Sequence, residues 1–195
     1  MIVRRASLAT VLIVVFASAG YPQTTNGDRD VPVFRVQAWG YIVADFSTRV
    51  ASYMELRSTL EKGLPTLAVT AYPAEITRAQ LALARRIREA RDGAKEGDIF
   101  TPTISAEFRK VLLPEMSADT REAIMDDNPG EFSHQIDGTY PRGKTFSTMP
   151  SNILAVLPTL PDDIQYRFLG HHLVLLDIRA NVILDRIPCA IECKK

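Results

Sequence analysis

The chain has 195 residues, with 23 basic and 23 acidic side chains, a formal net charge of zero and 46% hydrophobic residues. So even a balance gives no global reason to expect nucleic acid or an anionic membrane as partner. The length is enough for one domain with a real core.

The N-terminus reads as a secretory signal peptide over residues 1–19. Arg4 and Arg5 precede an apolar run from Leu8 to Phe16, and Ala17-Ser18-Ala19 supplies small residues before Gly20. The run is shorter than the roughly 20 residues a bilayer span needs. Cleavage after Ala19 is therefore expected, leaving no stable membrane span and a periplasmic or secreted protein. No cysteine lies near the cleavage point, which excludes lipoprotein processing. The leader holds two of the basic residues and none of the acidic ones, so the remainder carries two more acids than bases.

Residues 20–32 combine Pro22, Asn26, Gly27 and three charges and read as a disordered spacer, with the domain running over 33–195. The part from 40 to 127 is expected to be helical. From about Gly40 to Lys62, Val43, Phe46, Val50, Tyr53 and Leu60 recur on one arc of a helix. Ser47, Thr48, Ser52, Glu55 and Thr59 fill the opposite side, and Gly63 with Pro65 stops it. A second helix fits Pro73 to about Gly93, its stripe built from Ile76, Ala79, Leu83, Ile87, Ala90 and Ala94. The two predict an antiparallel pair packed stripe to stripe. Their link, Leu64–Tyr72, is apolar enough to pack beneath something rather than hang in water.

A third helix fits Pro102 to Leu113, capped by Thr101 and ended by Pro114. A fourth fits Ala118 to Asp127, with Ser117 as cap and Asp119 near the positive end of its dipole. Residues 128–150 form a long irregular connection, of a length uncommon unless functional or disordered. Ser151 to Leu157 reads as a short helix. The segment 164–187 reads as three strands, joined by a Gly170-His171 turn and an Arg179-Ala180-Asn181 turn. That register pairs Phe168 with Leu173 and Tyr166 with Leu175, on the face the helices should cover. The fold class is α+β: helices packed on a C-terminal antiparallel meander.

Chemistry-bearing residues are few. His171-His172 reads as ordinary hairpin residues, as metal ligands or as catalytic residues. Adjacent strand residues face opposite ways, and one ion would need further ligands such as His134, Asp177 or the cysteines. Arg57 falls inside the apolar stripe of the first helix. Three readings fit it: a stem lying on apolar surface with the head in water, a pairing with a carboxylate from another helix, or an anion-binding arginine in a cleft. The second helix carries Arg78, Arg85, Arg86, Arg88, Arg91 and Lys95, while residues 115–131 hold six acids against Arg121. Those charges fit a solvated face, or the two excesses meeting within the fold or between subunits. Cys189 and Cys193 would sit about 13 Å apart on a strand but within bonding reach in a turning tail. They read as a minor structural pair, a thiol redox pair or a soft-metal clip. No G-x-S-x-G, H-E-x-x-H, phosphate-loop or calcium-loop pattern occurs, and Ser133-His134 receives no role.

The stretches Asp137-Gly138-Thr139-Tyr140-Pro141, Leu157-Pro158-Thr159-Leu160-Pro161, Tyr166-Arg167-Phe168-Leu169-Gly170 and Leu176-Asp177-Ile178-Arg179-Ala180-Asn181 carry a resemblance. They resemble the C-terminal part of an uncharacterised exported bacterial protein family, which implies no particular activity. The hairpin alone is loosely similar to that of the periplasmic nickel/cobalt homeostasis family, which implies metal handling but transfers no ligand residue. The sequence therefore assigns no catalytic, cofactor-binding or metal-ligating residue. It predicts a non-enzymatic exported domain that binds a protein or a cell-envelope component. A metal-handling protein using His171 or His172, and a hydrolase with an unrecognised site around His134, stand as alternatives.

Overall fold

A computed structural model of the chain describes residues 31–64, 72–130, 135–141, 143–144 and 146–191, with side chains from residue 36 onward. The expected signal peptide, nearly all of the 20–32 spacer and most of the Leu64–Tyr72 link lie outside the described residues, as do Ser133, His134 and Cys193. The described residues form an α+β fold in which the helices precede a three-stranded antiparallel sheet of order β1-β2-β3. The elements are α1 (Val31–Glu61), α2 (Pro73–Ala90), α3 (Pro102–Leu112), a 3-10 turn over Leu113–Glu115, α4 (Ala118–Asp126), α5 (Ser151–Val156), β1 (Ile164–Leu169), β2 (His172–Asp177) and β3 (Val182–Ile187).

Helix α1 starts at Val31, not near Gly40, and takes in the last two residues of the expected spacer. Proline is tolerated at Pro32 because the N–H it lacks has no intrahelical partner in a first turn. The early turns escape an amphipathic reading because they bury little: Val36 and Tyr41 are 72% and 77% exposed. Further along, Phe46, Val50 and Tyr53 are buried, and Ser47, Thr48, Ser52, Glu55 and Thr59 are exposed, as the periodicity requires. Gly63, at φ +76°, takes the left-handed conformation of a helix-ending glycine.

Helices α1 and α2 form a helical hairpin. Arg86 donates to the carbonyls of Leu60 and Lys62, whereas Arg91, just past the end of the second helix, lies over the ring of Tyr53, earlier on the first. Contacts that run in opposite order along two helices define an antiparallel pair. The stripe of α2 is narrower than its pattern implied: Ala79, Leu83, Ala84 and Ile87 are buried, but Ile76 and Ala90 are exposed. Both exposed residues stand near helix ends, beyond the reach of the core. Of the link, Leu64 packs against the core whereas Tyr72 is 67% exposed.

The caps form as expected. Thr101 Oγ1 accepts the Ile104 N–H at 3.3 Å, and Ser117 Oγ accepts the Thr120 N–H at 3.1 Å. Pro114 ends α3 but continues as a 3-10 turn, whose i→i+3 pattern a proline in its first turn does not disturb.

The hairpin register is the expected one, with Phe168 opposite Leu173 and Tyr166 opposite Leu175. Those side chains, with Ile187 and Leu184, face the helices in one continuous core. An aromatic seam ties the layers together: Phe46 lies 5.5 Å from Phe100 and 5.1 Å from Phe108, and contacts Tyr166 of β1 at 6.2 Å. Burying each such ring is worth roughly 1.5–3 kcal/mol.

The opposite face of the sheet is covered too. Leu169, Val174, Leu176 and Ile183 pack with Tyr140 from the 128–150 connection. That segment is therefore a cover for the sheet, although it has no helix or named strand among its described residues. It also seals backbone edges. Asp137 N–H donates to Ile183 O at 2.8 Å, Ile183 N–H to Gly138 O at 2.9 Å, and Ser147 Oγ bonds both the N–H and the C=O of Phe168. Exposed strand edges invite unwanted pairing, and these contacts close part of each outer edge, at Ile183 of β3 and at Phe168 of β1.

Candidate functional site

Three groups of polar or charged residues are drawn into the interior, and a groove beside β1 makes a fourth candidate site. The first surrounds Arg57, which is 5% exposed. Counting by twos along β2 from Leu173 puts Asp177 on the helix-facing side, opposite α1. There Tyr53 Oη donates to Asp177 Oδ2 at 2.6 Å and Arg57 Nη1 approaches the same oxygen at 3.3 Å. Arg57 Nη2 donates to Asp163 Oδ2 at 2.7 Å, its Nε pairs with Glu61 at 3.3 Å, and Asp177 Oδ1 accepts the Ala180 N–H at 2.9 Å. Arg179 adds weaker pairs to Glu61 and Asp163. Two guanidinium groups thus meet three carboxylates. Burial opposes the charge on Arg57, but Asp177 and Asp163 outweigh it and hold the guanidinium above its ordinary value. Burial and the neighbouring Asp177 push the Tyr53 phenol far up as well. Of the three readings of Arg57, pairing with carboxylates is realised, but not with one from another helix. Its partners come from α1 itself and from the sheet and the turn before it. With three carboxylates around it, Arg57 is not poised for an external anion, although its Nε is buried without a hydrogen bond.

The second group is Asp185, fully buried on β3. A bulge opposite Leu175/Leu176 shifts the β2–β3 register, so that Asp185 stands opposite the core-facing Leu175. Its two oxygens accept the backbone N–H groups of Gly97, Ile99, Phe100 and Arg186 at 2.7–3.0 Å. Burial raises its pKa, and those four donors oppose the rise. The result is a clasp that holds the α2–α3 loop on the sheet.

The third group joins α2 to the 135–139 turn. Arg88 Nε donates to Asp137 O at 2.7 Å, Arg91 Nε pairs with Asp137 at 3.3 Å, and Arg91 Nη2 donates to Leu184 O at 2.9 Å. Burial raises the Asp137 carboxyl, with Arg91 and Arg88 pulling it back. Arg86, Arg88 and Arg91 are therefore used on carbonyls, Thr139 and Asp137, and Arg85 pairs with Glu89; the acids of 115–131 are not their partners in these contacts. Shallow clefts of about 440 and 510 Å³ flank Arg91, which lines both.

The histidines do not converge on a ligand set. His172 Nδ1 accepts the Cys189 N–H at 3.2 Å, and His171 Nδ1 is buried without a hydrogen bond. Among the described residues no group of three or more His, Cys, Asp or Glu is placed to hold a metal ion. Cys189 is disulfide-bonded and adopts φ +48°. The other cysteine of the sequence is Cys193.

The fourth feature is a groove of about 460 Å³ between the segment after α5 and the outer edge of β1. Leu154, Pro158, Leu160 and Ile164 make it largely apolar, and Tyr166 and Arg167 line its strand side. Leu154 is 49% exposed at its mouth. Arg167 lies 5.2 Å from the ring centre of Phe146, which is itself 46% exposed. Its Nη2 donates to Gln165 Oε1, its Nη1 approaches Tyr166 O at 3.4 Å, and its Nε is buried without a bond. Burial lowers the Arg167 pKa, and no carboxylate compensates; only the Tyr140 phenol pulls the other way. Sequence reading passed over Arg167 because on β1 it alternates correctly with Tyr166 and Phe168. The available signal was that no acid lies opposite it on β2, where its partner is Val174.

Compared with family models, curated proteins and solved structures, the chain gives no significant match.

Proposed function

We propose that this chain is a non-enzymatic, exported domain that binds a protein or cell-envelope component through the groove beside β1. The observation that carries the reading is a contrast in charge partners. Arg57 and Arg91 stand beside carboxylates and Asp185 accepts four backbone N–H groups, although Arg57 Nε and Arg91 Nη1, like Arg167 Nε, are buried without a hydrogen bond. Arg167 instead borders an open apolar groove with no acidic partner among the described residues. Ligand sites combine an apolar concavity of this size with a few polar groups that fix orientation. The buried serines support the same view: Ser105 donates to Phe100 O, and Ser147 is held by Phe168. Export is read from the basic, apolar and small-residue order of the first nineteen residues. No helix among the described residues is long and apolar enough to cross a membrane.

The test is capture from an envelope fraction on immobilised protein, comparing the wild type with Leu154→Asp, which places a carboxylate at the groove mouth. A stoichiometric partner held by the wild type and lost by the variant is expected. Equal capture by both would remove the groove from the account. Metal analysis of the same sample addresses the alternative at His171 and His172: a bound stoichiometric metal would favour that alternative.

A further inference from the structure

We propose that the groove receives the C-terminal end of an extended peptide, which adds to β1 at Tyr166 and sets its free carboxylate on the Arg167 guanidinium. This rests on the binding-domain reading and gives it a ligand chemistry.

The backbone of β1 supplies the first argument. A two-residue hairpin makes Leu169 and His172 a hydrogen-bonded pair, so Leu169, Arg167 and Gln165 bond inward to β2. Phe168, Tyr166 and Ile164 then turn their N–H and C=O groups toward the outer edge. Part of that edge is already satisfied: Ile164 N–H donates to Pro161 O at 2.9 Å, although its C=O has no partner among the described residues, and Ser147 clasps both the N–H and the C=O of Phe168. At Tyr166 the N–H has no partner among the described residues, and the C=O has only the 3.4 Å approach of the Arg167 side chain. The edge is thus open from the Ile164 C=O through Tyr166, and it opens into the groove. Buried backbone groups need partners, and strand addition is the way an extended peptide supplies them.

The width of that opening decides which part of a peptide fits. Ser147 occupies the edge at Phe168, immediately beyond Tyr166, so an added strand cannot continue past it. A chain that stops there presents its terminal carboxylate beside Arg167. The apolar walls at Leu154, Pro158 and Leu160 would take the last side chain. A terminal amine is disfavoured by the same positive charge.

A second copy of the chain is the competing occupant. Two-fold antiparallel pairing through Tyr166 would set the two Arg167 residues on one face as diagonal neighbours, about 7–8 Å apart. Like charges at that distance over an apolar groove repel. An anionic chain end satisfies what a second copy would violate.

The experiment is fluorescence anisotropy of the purified full chain with fluorescein-labelled pentapeptides ending in Leu, Val or Phe, each as free acid and as C-terminal amide. Saturable binding of at least one free acid is expected. Amidation should weaken it roughly tenfold to a hundredfold, the loss of one charge-assisted contact. Arg167→Gln should bring free acid and amide to the same affinity. The amide comparison uses the unaltered protein, so it holds even where the variant folds poorly. The proposal is overturned by absence of saturable binding to every free acid, by equal affinity for acid and amide, or by a concentration-dependent dimer that Leu154→Asp abolishes. An envelope partner captured equally by wild type and Arg167→Gln, yet lost with Leu154→Asp, would overturn this carboxylate assignment while leaving the groove as the binding site.

Discussion

Removing Asp177 is the sharpest perturbation of the interior. Asp177→Leu takes away a carboxylate with no exposure, leaving the Tyr53 hydroxyl and the Ala180 N–H without their acceptor. Arg57 keeps Asp163 and Glu61 but loses the partner that sits deepest. Breaking a buried pair from one side costs about 3–5 kcal/mol, most of it the penalty of an uncompensated buried charge. For a chain of this size each kcal/mol moves the thermal midpoint by about 2–4 °C, so a fall of roughly 6–20 °C is expected. Adding Arg57→Met should restore much of that loss, because Asp163 and Glu61 are about 30% exposed and can return to water. The assay is urea denaturation at pH 7 followed by far-ultraviolet circular dichroism on wild type, both single variants and the double variant, with the slope against urea unchanged. A single Asp177→Leu within about 1 kcal/mol of wild type, or strictly additive effects in the double variant, would refute a coupled buried cluster.

Three further outcomes follow from local geometry. Gly40 lies exposed inside α1 with nothing near the position a Cβ would take, so Gly40→Ala should stabilise by roughly 0.5–1 kcal/mol, read as a raised urea midpoint. At Gly138 a Cβ would come within 2.6 Å of Gln135 O, so Gly138→Ala should lower the midpoint and speed exchange of the Ile183 amide, which donates to Gly138 O. The Tyr53 phenol is raised by burial and by Asp177 above its unfolded value near 10, so its contribution is fully present below about pH 10 and is lost as pH rises beyond it. Stability should fall above that pH, and Tyr53→Phe should fall less steeply; parallel curves would exclude the assigned environment.

What the sequence made legible was whatever periodicity or capping encodes. The hairpin register, the buried stripe of α1 and the caps at Thr101 and Ser117 all follow from spacing and residue type. Arg57 was visible as an anomaly for the same reason, yet its partners were not. Asp177 closes a strand, where a carboxylate is ordinarily solvated, and only the tertiary position of α1 makes it a buried acceptor. Asp185 was hidden more deeply, because the bulge breaks the alternation that would have placed its side chain. The unbroken run Leu173-Val174-Leu175-Leu176 did carry a signal that both sheet faces are covered. Residues 135–149 supply that second cover through Tyr140 and the edge contacts, which no local pattern foretells. The groove depends on where α5 and its following segment lie against β1, a long-range placement that composition and periodicity do not encode. The start of α1 was missed because helix propensity there is not accompanied by burial.

Amide hydrogen exchange of the full chain, with and without a solubilised envelope extract, tests the binding reading most directly. The account predicts added protection over residues 154–167, including the Tyr166 amide, with little change around Arg57 and Asp185. Protection centred instead on the clefts beside Arg91, or none anywhere, would contradict it.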